Sequence, residues 1–238
     1  MKYMGSKARF TKEILPIILE NRLTNQCFVD LFTGGANVVS QVSGNRIAND
    51  KNKYLIAMFK GLQVNRERPF DIPKDLYSRA RIEYNNSTNI EFDDFMIGWI
   101  GCMGSANGRF FDGGYSGKSN TKLGTVRDYI KEAINNIEKQ IGLLNGISFY
   151  DQDYKDVIIP DNSIVYCDIP YENTKQYSTS KGFNHLEFWN YARKLSSLGH
   201  DVFISEYNAP SDFECIWSKD AKSSLSTSSR WVDKMIEI

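Results

Sequence analysis

The chain has 238 residues, of which 41% are hydrophobic and 24% charged, a composition typical of a soluble globular protein with one large domain or one domain carrying an insertion. The 29 basic and 29 acidic side chains cancel, which argues against nucleic-acid binding through net charge alone. No apolar run approaches the ~20 residues that cross a bilayer, and the N-terminus lacks an apolar signal region. A cytoplasmic protein without a membrane partner is therefore expected.

The cysteines and histidines are few and widely spaced. The four cysteines lie in apolar contexts without metal-type pairing, and we predict buried free thiols. With two histidines in the chain, no metal site is expected.

The first quarter of the chain predicts alternating helices and strands. In chain order the predictions are a helix capped by Ser6 that runs to about Arg22 with a kink at Pro16, a strand over 27–32, a turn over 33–35, a helix from Ala36 to Val42, a strand ending at Asn49-Asp50 and a helix over 51–62. This order is the unit of a doubly wound sheet.

The middle of the chain is different in character. Residues 64–120 are rich in charged turns, with one apolar helix predicted over 92–103. The segment 104–118 interleaves glycine, aromatic and basic residues and is too long for a simple connection. One interpretation is a plain surface loop. The other is a nucleic-acid contact, with Arg109 and Lys118 on phosphate and aromatic rings such as Phe110, Phe111 and Tyr115 stacking on bases.

The last part of the chain returns to the α/β pattern. The predictions are a long helix over 121–144, strands over 147–150 and 163–167, a helix over 186–198, a strand over 201–205 and a closing strand over 231–238.

A glycine turn ends the first predicted strand, in the run Asp30-Leu31-Phe32-Thr33-Gly34-Gly35-Ala36. Glycine lets a backbone approach a ligand closely, but the spacing is not the GxGxxG of a pyrophosphate-binding turn. Asp50 closes the next strand, where a carboxylate commonly holds ribose hydroxyls. Alternatively, Asp50 caps the following helix. A nucleoside ligand without a diphosphate, such as S-adenosylmethionine, fits this pattern better than a dinucleotide.

The second informative motif is Asp168-Ile169-Pro170-Tyr171, at the end of an apolar strand. The exocyclic amine of adenine is a poor nucleophile because its lone pair is delocalised into the ring. The Asp168 carboxylate and the Ile169 carbonyl could accept its two hydrogens, while Tyr171 stacks on the base. The alternative is a buried strand that ends in a proline turn.

Taken in order, these motifs resemble the Dam-like adenine-specific DNA methyltransferases, in particular their phage-type members. Four elements carry the resemblance: Tyr3-Met4-Gly5-Ser6-Lys7 is similar to the opening YxGSK, Asp30 to Ala36 to the DxFxGG turn, Asn49-Asp50 to the ribose-binding acid, and Asp168-Ile169-Pro170-Tyr171 to DPPY. Residues 204–210 and 232–238 also resemble later segments of the family. The sequence departs from the family at Ile169, where the family has proline; the carbonyl remains, but the fixed φ is lost.

The resemblance implies a Rossmann-like S-adenosylmethionine-dependent fold, with residues 1–63 and 146–238 as the catalytic domain and 64–145 as an inserted, mostly helical target-recognition region. It implies N6 methylation of a flipped adenine in double-stranded DNA, with S-adenosyl-L-homocysteine as product, in a bacterial cell or phage-infected host, by a monomer or weak dimer. The implied cofactor-binding residues are Tyr3, Lys7, Asp30, Phe32, Gly34, Gly35, Asp50, Phe149, Asp151 and Asp168. The expected DNA-binding residues are Arg109, Tyr115, Lys118 and Asn208.

Three other functions compete with this one. A catalytically weakened DNA- or S-adenosylmethionine-binding homologue is favoured by Ile169. A methyltransferase acting on RNA or on a protein amide would use related chemistry. A nicotinamide dehydrogenase is disfavoured by the glycine spacing.

Overall fold

The computed structural model describes residues 1–121, 124–172, 182–222 and 230–238. The strands are β1 (Phe28–Asp30), β2 (Arg46–Asn49), β3 (Lys118–Asn120), β4 (Val126–Asp128), β5 (Ile147–Tyr150), β6 (Ile164–Asp168), β7 (Asp201–Glu206), β8 (Glu214–Lys222) and β9 (Arg230–Glu237). The α-helices are α1 (Thr11–Ile18), α2 (Lys53–Gln63), α3 (Lys74–Asn86), α4 (Asp94–Gly104), α5 (Tyr129–Leu144) and α6 (His185–Ser197).

The central sheet is mixed and mostly parallel. Its strand order is β5-β2-β1-β6-β7-β9-β8, in which the first five strands are parallel and β9 is antiparallel to both of its neighbours. The chain winds outward from β1 in one direction and then returns to β6 on its other side. The predicted α/β, Rossmann-like fold is confirmed, and the order reverses between β1 and β6, where open α/β sheets bind ligands.

The sheet is covered on both faces, which explains why its central strands are nearly continuous apolar runs. Successive residues of β6 alternate between two apolar clusters: Ile164 and Tyr166 lie in one, while Val165 and Cys167 lie in the other. The first cluster includes residues of α1, α2, α4 and α5, and the second includes residues of α6. Both faces of the sheet are thus buried, and the carboxyl ends of the strands are left to form a site.

Two predicted helices near the N-terminus are shorter than expected. Ser6 does act as a cap, but its Oγ accepts from the amide of Ala8 at the start of a 3₁₀ turn, and α1 follows with Pro16 inside it. The helix predicted from Ala36 is only a 3₁₀ turn over Val39–Gln41. Ala36 has φ +53°, a left-handed conformation that a continuous helix excludes.

The region from 64 to 145 contains more structure than the sequence pattern predicted. Helix α3 and the hairpin of β3 and β4 were not predicted, and the helix predicted from residue 121 begins only at Tyr129. Residues 126–128 pair instead with 118–120, and Asp128 caps α5 by accepting from the amide of Lys131. Strand β8 was also missed.

This middle region packs directly on the sheet domain. Helix α4 crosses α2 so closely that an added Cβ at Gly98 would collide with the carbonyl of Tyr54, and one at Gly61 would collide with the Phe95 ring. Gln140 of α5 donates to the carbonyls of Gly35 and Ala36. Residues 64–145 therefore share a core with the sheet, and their role as a target-recognition region stays a prediction.

Three cysteines are buried as predicted, but Cys215 in β8 is exposed, because it lies in an edge strand. Among the helices of the described ranges, none is both long and apolar enough to cross a membrane.

Candidate active site

A cavity of about 830 Å³ opens at the carboxyl ends of β1, β2 and β6, at the point where the strand order reverses. Its walls are the N-terminal segment, the turn after β1, the residues after β5 and the motif after β6. Of the sequence-predicted residues, the cavity is lined by Tyr3, Lys7, Asp30, Phe32, Gly34, Gly35, Asp50, Asp168, Ile169, Pro170 and Tyr171. The fold thus brings together elements that lie far apart in the sequence.

Lys7 links the N-terminal segment to the motif after β6. Its Nζ lies 2.6 Å from Oδ1 of Asp168, and the two side chains are only 6% and 19% exposed. The same ammonium group lies 4.6 Å from the centroid of the Tyr171 ring and donates to the carbonyl of Gly5. An acid, a cation and an aromatic face therefore meet at one point of the cavity wall.

The motif loop is fixed by contacts along its length. The side chain of Ile169 is 3% exposed and packs in the apolar cluster beneath the cavity. The Pro170 carbonyl lies 2.8 Å from Nε2 of His185, at the start of α6. The Tyr171 ring meets Tyr207 edge-on, with 4.4 Å between centroids.

Asp30 is a buried acid with unused hydrogen-bonding capacity. Its Oδ2 accepts from the Thr33 hydroxyl at 3.2 Å, whereas its Oδ1 is buried without a hydrogen-bond partner among the described residues. Burial raises the pKa of the Asp30 carboxyl well above its ordinary value, and the charge of Asp168 adds to the rise. A buried oxygen of this kind is suited to a ligand donor.

Asp50 joins the ends of β1 and β2. Its Oδ2 accepts from the amide of Gly34 at 2.9 Å, and its Oδ1 accepts from the amide of Asn52 at 2.9 Å. Asn52, rather than Asp50, caps α2, so the alternative in which Asp50 is the helix cap is wrong. Burial raises the pKa of Asp50, and the two amide hydrogen bonds oppose that rise.

The glycine turn after β1 makes room for a side chain of the protein itself. A Cβ at Gly35 would come within 2.8 Å of the Tyr3 Cβ, and Gly34, at φ +45°, lies against the Tyr3 ring. The close approach predicted for a ligand is made here by Tyr3, which in turn lines the cavity.

Two aromatic residues of the cavity lining, Tyr154 and Phe183, were not predicted from the sequence; they lie beside Phe32, which was predicted. Phe32 contacts Tyr154 and Phe183, with centroid distances of 5.3 and 5.8 Å, and all three rings line the cavity. Phe149 and Asp151 are not part of the lining: Phe149 stacks on Phe59 in the core, and Asp151 pairs with Lys60. Tyr154 could have been predicted from its position shortly after β5, three residues beyond Asp151.

The four predicted DNA-binding residues lie in different environments. Lys118 is 69% exposed and 3.6 Å from Asp128, and Asn208 is exposed. The Tyr115 hydroxyl donates to the Ile72 carbonyl at 2.8 Å, and Arg109 is half-buried, with its Nε lacking a described hydrogen-bond partner.

Phe110 and Phe111 are buried in the core, so the interpretation that they stack on bases is wrong. They fill the space beside Gly101, where an added Cβ would meet both rings.

A sheet that reverses order at an acid-lined cavity, with an acid-Xaa-Pro-Tyr motif at one strand end, is typical of α/β proteins that bind a ligand at the carboxyl ends of their strands. The chain matches the model of the D12 class N6 adenine-specific DNA methyltransferases over residues 3–212 and belongs to that family.

The crystal structure of SMU.472, provisionally described as a methyltransferase and complexed with SAH, aligns with 99% of this chain at 13% identity and a TM-score of 0.41. The alignment covers 53% of that chain, so the protein described here spans about half its length. A search of curated proteins found no match.

Proposed function

We propose that the protein transfers the methyl group of S-adenosyl-L-methionine to the N6 amine of adenine in double-stranded DNA, as a Dam-like enzyme of the phage type. The observation that carries the proposal is the joint placement of Asp168, Ile169 and Tyr171 on the wall of the cavity that Asp30 and Asp50 also line. The motif residues would bind an aminopurine, and Asp30 and Asp50 would bind a nucleoside with a charged tail.

The lining fits S-adenosylmethionine. Asp30, with its unpartnered Oδ1, would hold the ammonium group of the methionine part, and Asp50 would hold ribose hydroxyls. The rings of Phe32, Tyr154 and Phe183 would border the adenine ring, in preference to Phe149 and Asp151. When bound, S-adenosylmethionine supplies an electrophilic methyl group.

The residues of the motif would prepare the amine for attack. Its two hydrogens are accepted by the Asp168 carboxylate and the Ile169 carbonyl, which draws the nitrogen towards tetrahedral geometry and exposes its lone pair. The Tyr171 ring holds the plane of the base, which fixes the direction of attack. Asp168 would also accept the surplus proton of the methylated nitrogen. The Asp168 carboxylate would then interact with both the Lys7 ammonium group and the adenine amine.

The burial of Asp168, whose side chain is 19% exposed, supports base flipping in the proposed reaction. The N6 amine of a paired adenine lies inside the duplex, so it reaches Asp168 only if the nucleotide rotates out, at a cost of a few kcal/mol. Lys2 and Arg9 are exposed on the cavity lining, where they could contact phosphates on either side of the flipped base.

The predicted recognition region contacts the N-terminal segment, which lines the cavity. The amide of Met4 donates to the carbonyl of Gly108 at 3.1 Å, which ties the loop before β3 to the N-terminal segment. We propose that residues 64–145 read the target sequence from this position.

Ile169 leaves one competing function, a catalytically weakened homologue that still binds DNA or S-adenosylmethionine. The burial of its side chain among apolar residues favours an active enzyme, because isoleucine there is packed and its carbonyl is retained. The variant Ile169→Pro restores the family motif and tests the point directly.

Sequencing of DNA from cells that express the protein, with detection of modified adenines, tests the proposed function and reports the recognition sequence. We expect N6-methyladenine within one short motif. Absence of modified adenine with the wild type, together with its appearance with Ile169→Pro, would show a disabled motif; absence with both would reject the proposed function.

A further inference from the structure

Glu206 is a buried acid that none of the roles above uses. It ends β7, beside Asp168 at the end of β6, and is 1% exposed. Its Oε2 accepts from the amide of Glu172 at 3.0 Å, and its Oε1 accepts from the amide of Tyr207 at 2.6 Å. One carboxylate thus ties the end of the catalytic motif to the segment that follows β7.

The same two segments are joined a second time by their rings. Tyr171 immediately precedes Glu172, and its ring meets the Tyr207 ring at 4.4 Å and 77°. Because Glu206 holds the backbone at Glu172 and at Tyr207, it sets the relative position of these two rings. The orientation of the face that would stack on the flipped base follows from that position.

We infer that Glu206 is a positioning residue for the proposed methyl transfer, and that it holds the Tyr171 ring and the motif backbone in place only as a carboxylate anion. This inference rests on the proposed function. Glu206 acts through the motif and makes no contact with a reacting atom in the arrangement described above.

The requirement for the anion follows from the two donors. Each carboxylate oxygen faces one backbone N–H, so both must be acceptors. A protonated Glu206 directs its O–H at one of those amides or turns away from it, and one hydrogen bond is lost. A glutamine has the same defect at every pH, because its NH₂ faces one of the two amides.

Titration of Glu206 falls within the range in which the enzyme can be assayed. Burial raises the pKa of Glu206 to about 7, and the negative charges of Glu172 and Asp168 contribute to the rise, whereas the two amide hydrogen bonds oppose it. The ammonium group of Lys7 faces Asp168 rather than Glu206. On β9, Lys234 is the register partner of Glu206, and its side chain lies outside the described part of the structure.

The test compares wild type, Glu206→Gln and the control Glu214→Gln, in which an exposed glutamate of β8 is changed. With saturating S-adenosylmethionine, we expect kcat of Glu206→Gln at pH 8 to fall about 10-fold or more, the order of a lost positioning contact. The Kd for S-adenosylmethionine should change less than about 3-fold, and Glu214→Gln should match the wild type.

The pH profile separates positioning from a general effect on stability. The wild-type kcat should fall on acidification with a midpoint near 7, and Glu206→Gln should lack that acid limb. Glu206→Asp keeps a carboxylate at shorter reach and should retain the limb at reduced kcat. A Glu206→Gln enzyme with wild-type kcat and a wild-type profile would overturn the inference.

Hydrogen exchange of the Glu172 and Tyr207 amides gives a readout that does not depend on catalysis. In the wild type, protection of both amides, corrected for intrinsic rates, should decrease as the pH falls through about 7, and this holds even if no variant folds. If protection decreases on acidification but the protein transfers no methyl group, the proposed function is rejected, while the structural role of the Glu206 carboxylate is supported. Protection that does not change between pH 6 and pH 8 would overturn the inference itself.

Discussion

The ammonium group of Lys7 lies 2.6 Å from Oδ1 of Asp168, 161 residues further along the chain. This contact joins the N-terminal segment to the end of β6 and closes one side of the cavity. It also places a positive charge beside the carboxylate that we propose accepts a hydrogen bond from the adenine amine. A change at either residue should therefore affect both the stability of the fold and the proposed reaction.

Replacement of Lys7 by methionine should destabilise the protein, because it leaves Asp168 without its ion-pair partner. Loss of one partner costs about 3–5 kcal/mol in a fully buried pair. Since Asp168 is 19% exposed to the cavity, we expect about 1–2 kcal/mol, measured by urea unfolding. Lys12→Met, at an exposed position of α1, is the matched control and should change stability by less than about 0.5 kcal/mol.

A double-mutant cycle with Asp168→Asn isolates the interaction. The double variant should regain part of the stability lost in Lys7→Met, because a neutral amide in place of the carboxylate needs no cation. Strictly additive losses would show that the ion pair contributes nothing to stability.

The Tyr171 ring should matter for binding of the target base more than for the fold. Tyr171→Ala removes a stacking surface worth about 1–3 kcal/mol per base, so kcat/KM should fall roughly 10- to 100-fold. Tyr171→Phe keeps the ring and should stay within a few-fold of the wild type. Steady-state kinetics on a methylatable duplex measures both, and unchanged turnover in Tyr171→Ala would remove the stacking role.

Glu206 should make the stability of the protein depend on pH. Its folded-state pKa of about 7 lies above the ordinary value of 4.5, so the folded state holds its proton at pH values where the unfolded state has lost it. The stability that this proton contributes is complete below about pH 4.5 and is lost as the pH rises through about 7.

Urea unfolding of wild type and Glu206→Gln at pH 5 and pH 8 measures this dependence. Relative to Glu206→Gln, the wild type should lose about 2–3 kcal/mol between the two pH values. If the two proteins differ in unfolding free energy by the same amount at pH 5 and at pH 8, Glu206 has an ordinary pKa in the folded protein.

Lys118, the first residue of β3, and Arg109, in the loop before it, test whether this part of the chain contacts DNA. If Lys118 neutralises a phosphate, Lys118→Ala should reduce the slope of log K against log[salt] by about 0.9. Arg109 is half-buried, so Arg109→Ala tests contact at the inner end of the same loop. Fluorescence anisotropy over a salt series measures both, and an exposed lysine on α5, Lys139→Ala, serves as control. Slopes that equal the wild-type slope would exclude these two residues as phosphate contacts.

The sheet could be predicted from the sequence because its strands are buried on both faces. Strands such as β1 and β6 are short apolar runs that end in aspartate, and their order along the chain fixed the doubly wound pattern. Helix α3 could not be predicted in the same way, since few of its residues, such as Tyr77 and Ala80, are buried and the apolar periodicity is weak. The β3–β4 hairpin has almost wholly exposed strands and no apolar alternation.

Only those site residues that belong to a local sequence motif could be predicted. Asp30, Asp50 and Asp168 were found because each ends a strand or directly follows one. Tyr154, Phe183 and Glu206 were missed because their contacts depend on tertiary packing between segments that lie far apart in the sequence. Phe110 and Phe111 show the converse error, since an aromatic pair in a glycine-rich loop has the same sequence pattern whether it faces DNA or the core.

The most direct test of the central claim is methyl transfer by the purified protein. Wild type and Asp168→Asn would be incubated with isotopically labelled S-adenosylmethionine and duplex DNA of mixed sequence, followed by mass spectrometry of the digested nucleosides. We predict labelled N6-methyladenine with the wild type, and a rate lower by about 100- to 1,000-fold with Asp168→Asn, the cost of one misplaced transition-state contact. An Asp168→Asn enzyme that methylates adenine at the wild-type rate, or a wild type that binds S-adenosylmethionine and DNA yet yields no methyladenine, would contradict the account.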